Sequence, residues 1–391
     1  MLHTNASRLF NIDIAEETAP PKVPANPTDS ASTTPLLPMN ADSTASIHYR
    51  KITKRIWTVM QAGMARGFKF KVLSLDDRTF RAERGGKGFT YKIYPGHFSF
   101  RSQYQDGDYD YEQTKAHKLA LMKADGLPTP VSYGLFANAE DILSSPFSKR
   151  FSFPLVAKPN SGSLSHNVFP NLTTPSQLAQ AAATIEADGQ TIQLESHISG
   201  RDYRVLILNH QYAGCVERRP ANVTGDGQHS IRQLVQQRNR EVGRGDRTEA
   251  HTTLHQIVFD DTSHTLLQRL GYTPDTILPA GKRVYIQEKI TAATGSDYID
   301  CTDDLHSSII RSCVDFSHRF STLTLGFDLI TSDISKPLQE TGGAFNEYNF
   351  LPYVDLHENC NIGRKRPVCR LIWDYIEVNA ARIITREFNM F

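Results

Sequence analysis

The chain has 391 residues, 39% of them hydrophobic and 22% charged, with a formal net charge of +1. That length and balance exclude a disordered or fibrous protein and leave room for two or three domains with hydrophobic cores. The near-zero charge excludes long-range attraction to nucleic acid or to an anionic membrane, so an anionic ligand must be met by local positive sites.

Residues 1–46 are rich in Ala, Pro, Ser and Thr, including Pro20, Pro21, Pro24 and the stretch from Ser30 to Pro35. They offer almost no aromatic surface to bury, so they read as a disordered leader. Ile52, Ile56, Val59 and Met60 recur at helical spacing within 51–66, and Gly67 ends that helix. Residues 68–73 alternate like a strand, and 79–82 with 89–94 flank Arg84-Gly85-Gly86-Lys87 as a hairpin. These elements predict a small α/β domain over 47–110.

Residues 111–125 read as a helix, stopped by Gly126 with Pro128 and Pro130 beyond. A strand is expected at 153–158. Thr174 is a cap, Pro175 sits at the first helical position, and Gln177 closes a capping box for a helix reaching about residue 185. Strands follow at 191–195, 203–208 and 212–218, the last two joined by a turn at Asn209-His210. Ser230 caps a helix reaching Asn239. The C-terminal part predicts a long helix over 306–323, strands at 327–331 and 344–348, and a closing helix after Pro367.

The five cysteines, Cys215, Cys301, Cys313, Cys360 and Cys369, are scattered and never spaced as Cys-x-x-Cys. Reduced, buried thiols in a cytoplasmic protein fit better than a disulfide framework or a zinc site. No apolar run approaches the ~20 residues that cross a bilayer, and no secretory signal is recognisable at the start.

Charges that interrupt apolar strands carry the chemistry. Asp328 lies within Gly326-Phe327-Asp328-Leu329-Ile330, and Glu347 and Asn349 lie within Phe345-Asn346-Glu347-Tyr348-Asn349. Residues two apart on a strand share a face, so Glu347 and Asn349 point the same way. Three hard oxygen donors on neighbouring strands suit magnesium, whereas unpaired charges there would be costly. Lys115 opens the helix ending at Gly126, and Lys158 ends a strand before Pro159-Asn160-Ser161-Gly162-Ser163. A lysine followed by a small polar loop can hold phosphate, although a solvated lysine reads the same way. The stretch Glu195-Ser196-His197-Ile198-Ser199-Gly200-Arg201-Asp202-Tyr203-Arg204 joins two strands, as an adenine-binding hinge or as a plain connection. Arg218 and Arg219 end a strand, and arginine is a natural partner for carboxylate or phosphoryl groups.

In this order the segments resemble the ATP-grasp domain of cyanophycin synthetase. The resemblance runs through Glu195 to Arg204, Arg218 to Gly227, Asn239 and Arg244-Gly245. It continues through Asp300-Cys301-Thr302-Asp303 with His306, then Asp333 to Leu338 and Gly342-Gly343-Ala344 to Glu347 and Asn349. His357, Gly363 and Arg366 complete it. The ATP-grasp half of bifunctional glutathione synthetases is similar over the same region, roughly residues 111–375.

This resemblance implies an α+β, ATP-grasp fold in which two α+β subdomains, 111–200 and 201–391, grip ATP behind the small domain and the leader. It implies a carboxylate–amine ligase that forms an amide bond through an acyl phosphate, using ATP and two magnesium ions, with manganese as a substitute. Lys115 and Lys158 would hold phosphates together with Ser161, Gly162 and Ser163. Glu195 would meet the adenine amino group, the backbone of Ser196 and Ile198 would form the hinge, and Asp202 would bind ribose. Asp328, Glu347 and Asn349 would hold the metal. Arg218, Arg204 and Lys158 would serve the transferring phosphoryl group, and Asp300 and His306 would lie toward the acceptor.

The implied partners are amino acids or short peptides, with neither nucleic acid nor membrane; homo-oligomerisation is left open. The sequence departs from the family in its phosphate loop, where 161–168 holds only Gly162, with Ser165 and Asn167 in place of further glycines. That loop and the region 222–300 are the expected lids. Cyanophycin synthetase carries a second ligase domain, and this chain ends soon after Arg386, so it is not expected to elongate that polymer in the usual two steps. A phosphotransferase, a nucleotide-binding scaffold, and an interaction protein acting through its leader are the alternatives.

Overall fold

The computed structural model describes residues 54–74, 79–92, 114–144, 151–162, 166–246, 252–320, 324–350 and 352–378. The expected leader lies outside the described residues, as do all of 93–113 and Ser163 of the expected phosphate loop.

The chain opens with α1 (Lys54–Met64) and a meander of β1 (Lys69–Ser74), β2 (Thr79–Arg84) and β3 (Lys87–Lys92). The core of these elements is shared with distant segments. Ile56, Val59, Met60, Phe80 and Ala82 pack with Leu206, Leu208, Val368, Ile372, Trp373 and Ile376. Trp373 lies on α10 (Cys369–Val378), and its indole N–H donates to the Val59 carbonyl at 2.8 Å.

Next come α2 (Lys115–Ala124), β4 (Ser132–Phe136), α3 (Ala139–Ser144), β5 (Leu155–Pro159), β6 (Phe169–Leu172), α4 (Pro175–Ala187) and β7 (Ile192–Ser196). The helix expected from 111 starts at Lys115, because the Thr114 hydroxyl caps it by accepting from the His117 N–H. Thr174 caps α4 as expected, but the capping box does not close. The Gln177 side chain accepts instead from the Thr173 N–H at 2.8 Å and the Thr173 hydroxyl at 3.0 Å. The strands form an antiparallel sheet in the order β4-β7-β5-β6. Leu155, Ala157, Ile192 and Leu194 face Leu178, Ala181, Ala182 and Ile185 of α4. By alternation, Lys158, Gln193 and Glu195 point to the opposite face.

A second antiparallel sheet has the order β14-β9-β8-β15-β16. Its strands are β8 (Arg201–Leu208), β9 (Gln211–Arg219), β14 (Asp297–Asp300), β15 (Thr324–Thr331) and β16 (Ala344–Asn349). Asn209 and His210 turn between β8 and β9 with φ of 49° and 58°, the paired left-handed conformation of a tight hairpin. One face of the sheet carries Tyr203, Val205, Ile207, Phe327, Leu329 and Tyr348 into a core with α2 and with α7 (Ser307–Ser317). The expected helix over 306–323 ends early, at Ser317, with His306 as its N-terminal cap; 321–323 lie outside the described residues.

Between β9 and β14 the chain leaves the sheet and builds a unit with its own core. It holds β10 (Asn222–Thr224), α5 (Ile231–Asn239), β11 (Arg244–Gly245), β12 (Leu254–His255), α6 (Asp261–Arg269) and β13 (Arg283–Tyr285). Ser230 and Gln233 form a complete capping box on α5. Buried Asp297 ties this unit to the sheet, accepting from Arg238 at 2.6 Å and from Asn222 and Asn361 at 2.8 Å each. Two short helices, α8 (Leu338–Thr341) and α9 (Asp355–Glu358), flank β16.

Candidate active site

The second face of the five-stranded sheet divides along its length. At one end Leu206 and Leu208 enter the core beneath α1 and α10. At the other end the same alternation delivers Asp202 and Arg204 of β8, and register completes the cluster. Asp202 stands opposite Arg218, Arg204 opposite Asp328, Asp328 opposite Glu347, and Gly326 opposite Asn349. Arg204 Nε donates to Asp328 Oδ1 at 2.5 Å, while Arg218 reaches Asp202 at 2.5 Å and Asp328 Oδ2 at 3.3 Å. Burial alone would raise the Asp328 carboxyl, but Arg204 and Arg218 outweigh it and hold the group below its usual range. Gly326 makes room for this arrangement: a Cβ there would lie 3.2 Å from Arg204 Cδ.

The register slips between Asp328 and Leu329, so Asn346 is an extra residue on β16. A bulge of this kind re-aims a side chain. The Asn346 amide oxygen turns to Lys158 Nζ, 3.3 Å away, and so joins the two sheets. Lys158 is 4% exposed and pairs at 2.8 Å with Glu195, which is 1% exposed and also accepts from Gln193 Nε2. Lys115 Nζ donates to the carbonyls of Pro159, Ser161 and Gly162 at 2.9 to 3.1 Å, closing the helix onto the phosphate loop. Burial lowers the Lys115 ammonium below its ordinary value; Glu347 opposes this, and Lys158 and Lys118 add to it. Within the loop, Gly162 and Asn167 take positive φ, 93° and 49°, so Asn167 adopts a left-handed turn of the kind glycine usually supplies.

The hinge is more constrained than expected. The Ser196 N–H donates to the Val131 carbonyl at 2.9 Å, and the Ser196 hydroxyl accepts from the Val131 N–H, also at 2.9 Å. The His197 N–H is given to Pro154. Ile198, in the open connection, makes no backbone hydrogen bond among the described residues. Asp300 and His306 are engaged elsewhere. Arg366 holds Asp300 at 2.8 Å, and His306 Nδ1 caps α7 through Ser308. His357, beneath Arg204, is 1% exposed, and neither of its ring nitrogens finds a hydrogen-bond partner among the described residues.

No family model matches the chain. It is 32% identical over 270 residues to a cyanophycin synthetase of Synechocystis sp., a match covering 68% of this chain and 30% of that protein. A glutathione biosynthesis bifunctional protein of Desulfotalea psychrophila is 27% identical over 271 residues, covering 69% of this chain and 34% of that one. The chain thus spans about a third of the length of these curated relatives. The crystal structure of a bifunctional glutathione synthetase from Pasteurella multocida superposes with a TM-score of 0.64 at 22% identity, over 84% of this chain and 44% of that one.

The chain has the ATP-grasp fold. Cyanophycin synthetase and bifunctional glutathione synthetase are its homologues. In this ATP-grasp chain, Lys115, Lys158, Arg204, Arg218, Asp328 and Glu347 meet where the two sheets face each other. Asp328, Glu347 and Asn349 are hard oxygen donors on one face, a set that fits magnesium. Sequence reading overlooked Asn346, which no periodicity reveals because a bulge aims it. It also overlooked Lys118, whose ammonium pairs with Glu347 at 2.9 Å. The spacing of Lys118, three residues after Lys115 and so on the same helical face, was the available signal.

Proposed function

We propose that the chain is a cytoplasmic, ATP- and magnesium-dependent carboxylate–amine ligase that joins amino acids or short peptides, releasing ADP and phosphate. One observation carries this reading: Asp328 and Glu347 stand opposite each other on paired strands, with Arg204 and Arg218 beside them. Lys158 faces the group from the other sheet.

A carboxylate is a poor electrophile. Attack of its oxygen on the γ-phosphorus, with ADP leaving, makes an acyl phosphate. Attack of an amine on the acyl carbon then expels phosphate. Arg204 and Arg218 would neutralise charge that grows on the phosphoryl oxygens, where fixed cations act most strongly. Lys115 and Lys158 would hold the β- and γ-phosphates, the Ile198 backbone the adenine edge, and Asp202 the ribose. Asp328, Glu347 and Asn349 would hold two magnesium ions, which supply further neutralisation of the triphosphate. The loop over 161–168 and the unit between β9 and β14 would exclude water from the acyl phosphate.

One observation favours a second reading, a nucleotide-binding scaffold without turnover. Both candidate metal carboxylates are paired with cations of the protein itself, Asp328 with Arg204 and Arg218, and Glu347 with Lys118. The deciding experiment incubates the chain with ATP, magnesium and pairs drawn from a panel of amino acids and dipeptides. ADP, free phosphate and product mass are followed. The ligase reading expects all three together with an amide. A stable phosphorylated product without free phosphate indicates a phosphotransferase, and nucleotide binding without ADP for any pair indicates the scaffold.

A further inference from the structure

Lys118 stands in the second turn of α2, three residues after Lys115. Its Nζ lies 2.9 Å from Glu347 Oε1, and the two side chains are only 12% and 23% exposed. Sheltered in this way, the pair is screened less than a surface ion pair. We propose that Lys118 competes with the magnesium ion for the Glu347 carboxylate and, once displaced, takes up an oxygen of the transferring phosphoryl group. The inference rests on the ligase reading above and adds a residue to it.

Five points lead there. Glu347 is the carboxylate directly opposite Asp328, and the Lys118 ammonium already occupies its Oε1. A monovalent and a divalent cation on the same carboxylate oxygen repel, so Lys118 and the ion would exchange at Oε1. Lysine carries its charge on a flexible four-carbon stem with three donors, which lets it change partners without moving the helix. An oxyanion close to Glu347 is also the nearest chemistry able to satisfy an ammonium given up by that carboxylate. Lys115 and Lys158 bring two more ammonium groups to the same place, the footprint of a polyanion and not of a lone ion pair.

The test is a titration of Mn2+, read by electron paramagnetic resonance, into the full chain with and without a non-hydrolysable ATP analogue. Wild type is compared with Lys118→Met, which keeps the stem and removes the charge. Lys118→Gln serves if the first variant does not fold. The expected result is about threefold to tenfold tighter Mn2+ binding in the variant without nucleotide. With Mn2+ saturating, the variant should bind the analogue more weakly than wild type. A pair that merely fastens α2 to β16 would lower the melting temperature and leave Mn2+ affinity unchanged or weaker, and that result overturns the inference. If wild type itself binds neither Mn2+ nor the analogue, the ligase reading falls instead, whatever the variant does.

Discussion

Lys158 and Glu195 form an ion pair almost wholly withdrawn from water, with side chains 5% and 1% exposed. This gives Lys158 two separable duties. Removing its charge leaves a buried carboxylate unpaired, a loss of about 3–5 kcal/mol in stability. Lys158→Met should therefore melt well below wild type, and adding Glu195→Gln should recover most of that loss. Nucleotide affinity should stay low in both, because one of the two ammonium groups proposed to hold the phosphates is gone. Recovered affinity in the double variant would assign Lys158 to the fold alone. Glu347 behaves differently, being partly exposed and bonded through one oxygen. Glu347→Gln conserves shape, so circular dichroism should be unchanged while ADP release falls by about 100-fold or more. Normal turnover would remove Glu347 from the metal set. The two carboxylates were legible because each breaks an apolar strand where a bare charge is costly. Asn346 and Lys118 were not, since one depends on a bulge and the other on a helix docking against β16.

Elements bounded by local chemistry were read to within a few residues. Thr174-Pro175 and Ser230 with Gln233 start α4 and α5 by hydrogen bonds made inside the segment. Of the two main sheets, β5, β7, β8, β9, β15 and β16 were read from the sequence, whereas β4, β6 and β14 were not. What was missed depends on distant partners: β10 has three residues and pairs with β13, 63 positions further on by the register Asn222↔Tyr285 at one end. The start of α6 was also passed over, although Asp260 and Ser263 form a capping box of their own. The connection from β7 to β8 shows how an element boundary becomes functional. Gly200 has φ of +152°, and a Cβ there would meet the backbone carbon of Thr331 at 2.3 Å. Backbone cannot yield as a side-chain tip can, so Gly200→Ala must push β8 away from the end of β15. It should cost about 2 kcal/mol or more and weaken nucleotide binding in the same variant, measured by melting and by titration of an ATP analogue. An alanine variant with wild-type melting would show that β8 can tilt freely at this point.

Across the whole molecule, the face that carries Arg204 and Asp328 is held by cores that sequence order does not suggest. Helices α1 and α10, from opposite ends of the described chain, close over Leu206 and Leu208, one and two steps of alternation from Arg204. His357, on α9, is buried within electrostatic reach of Arg204 and Asp300, and neither of its ring nitrogens is hydrogen-bonded to a described residue. Burial drives its pKa down to about 3, and Arg204 adds to the effect. The unfolded chain returns it to about 6.5, so between these values the unfolded state holds a proton that the folded state refuses. Stability is therefore complete above about pH 6.5 and is lost as pH falls toward 3, at up to about 1.4 kcal/mol per unit from this residue. His197, lowered by burial to about 4, contributes in the same direction; its Nδ1 already accepts from the Asn171 N–H. Urea unfolding of wild type and His357→Leu at pH 7 and pH 5 isolates the effect, because other titrations cancel in the difference. Leucine should be less stable relative to wild type at pH 7 than at pH 5, the gap narrowing by about 2 kcal/mol. A gap independent of pH would mean that His357 accepts its proton without cost, and that the floor beneath Arg204 is open to water.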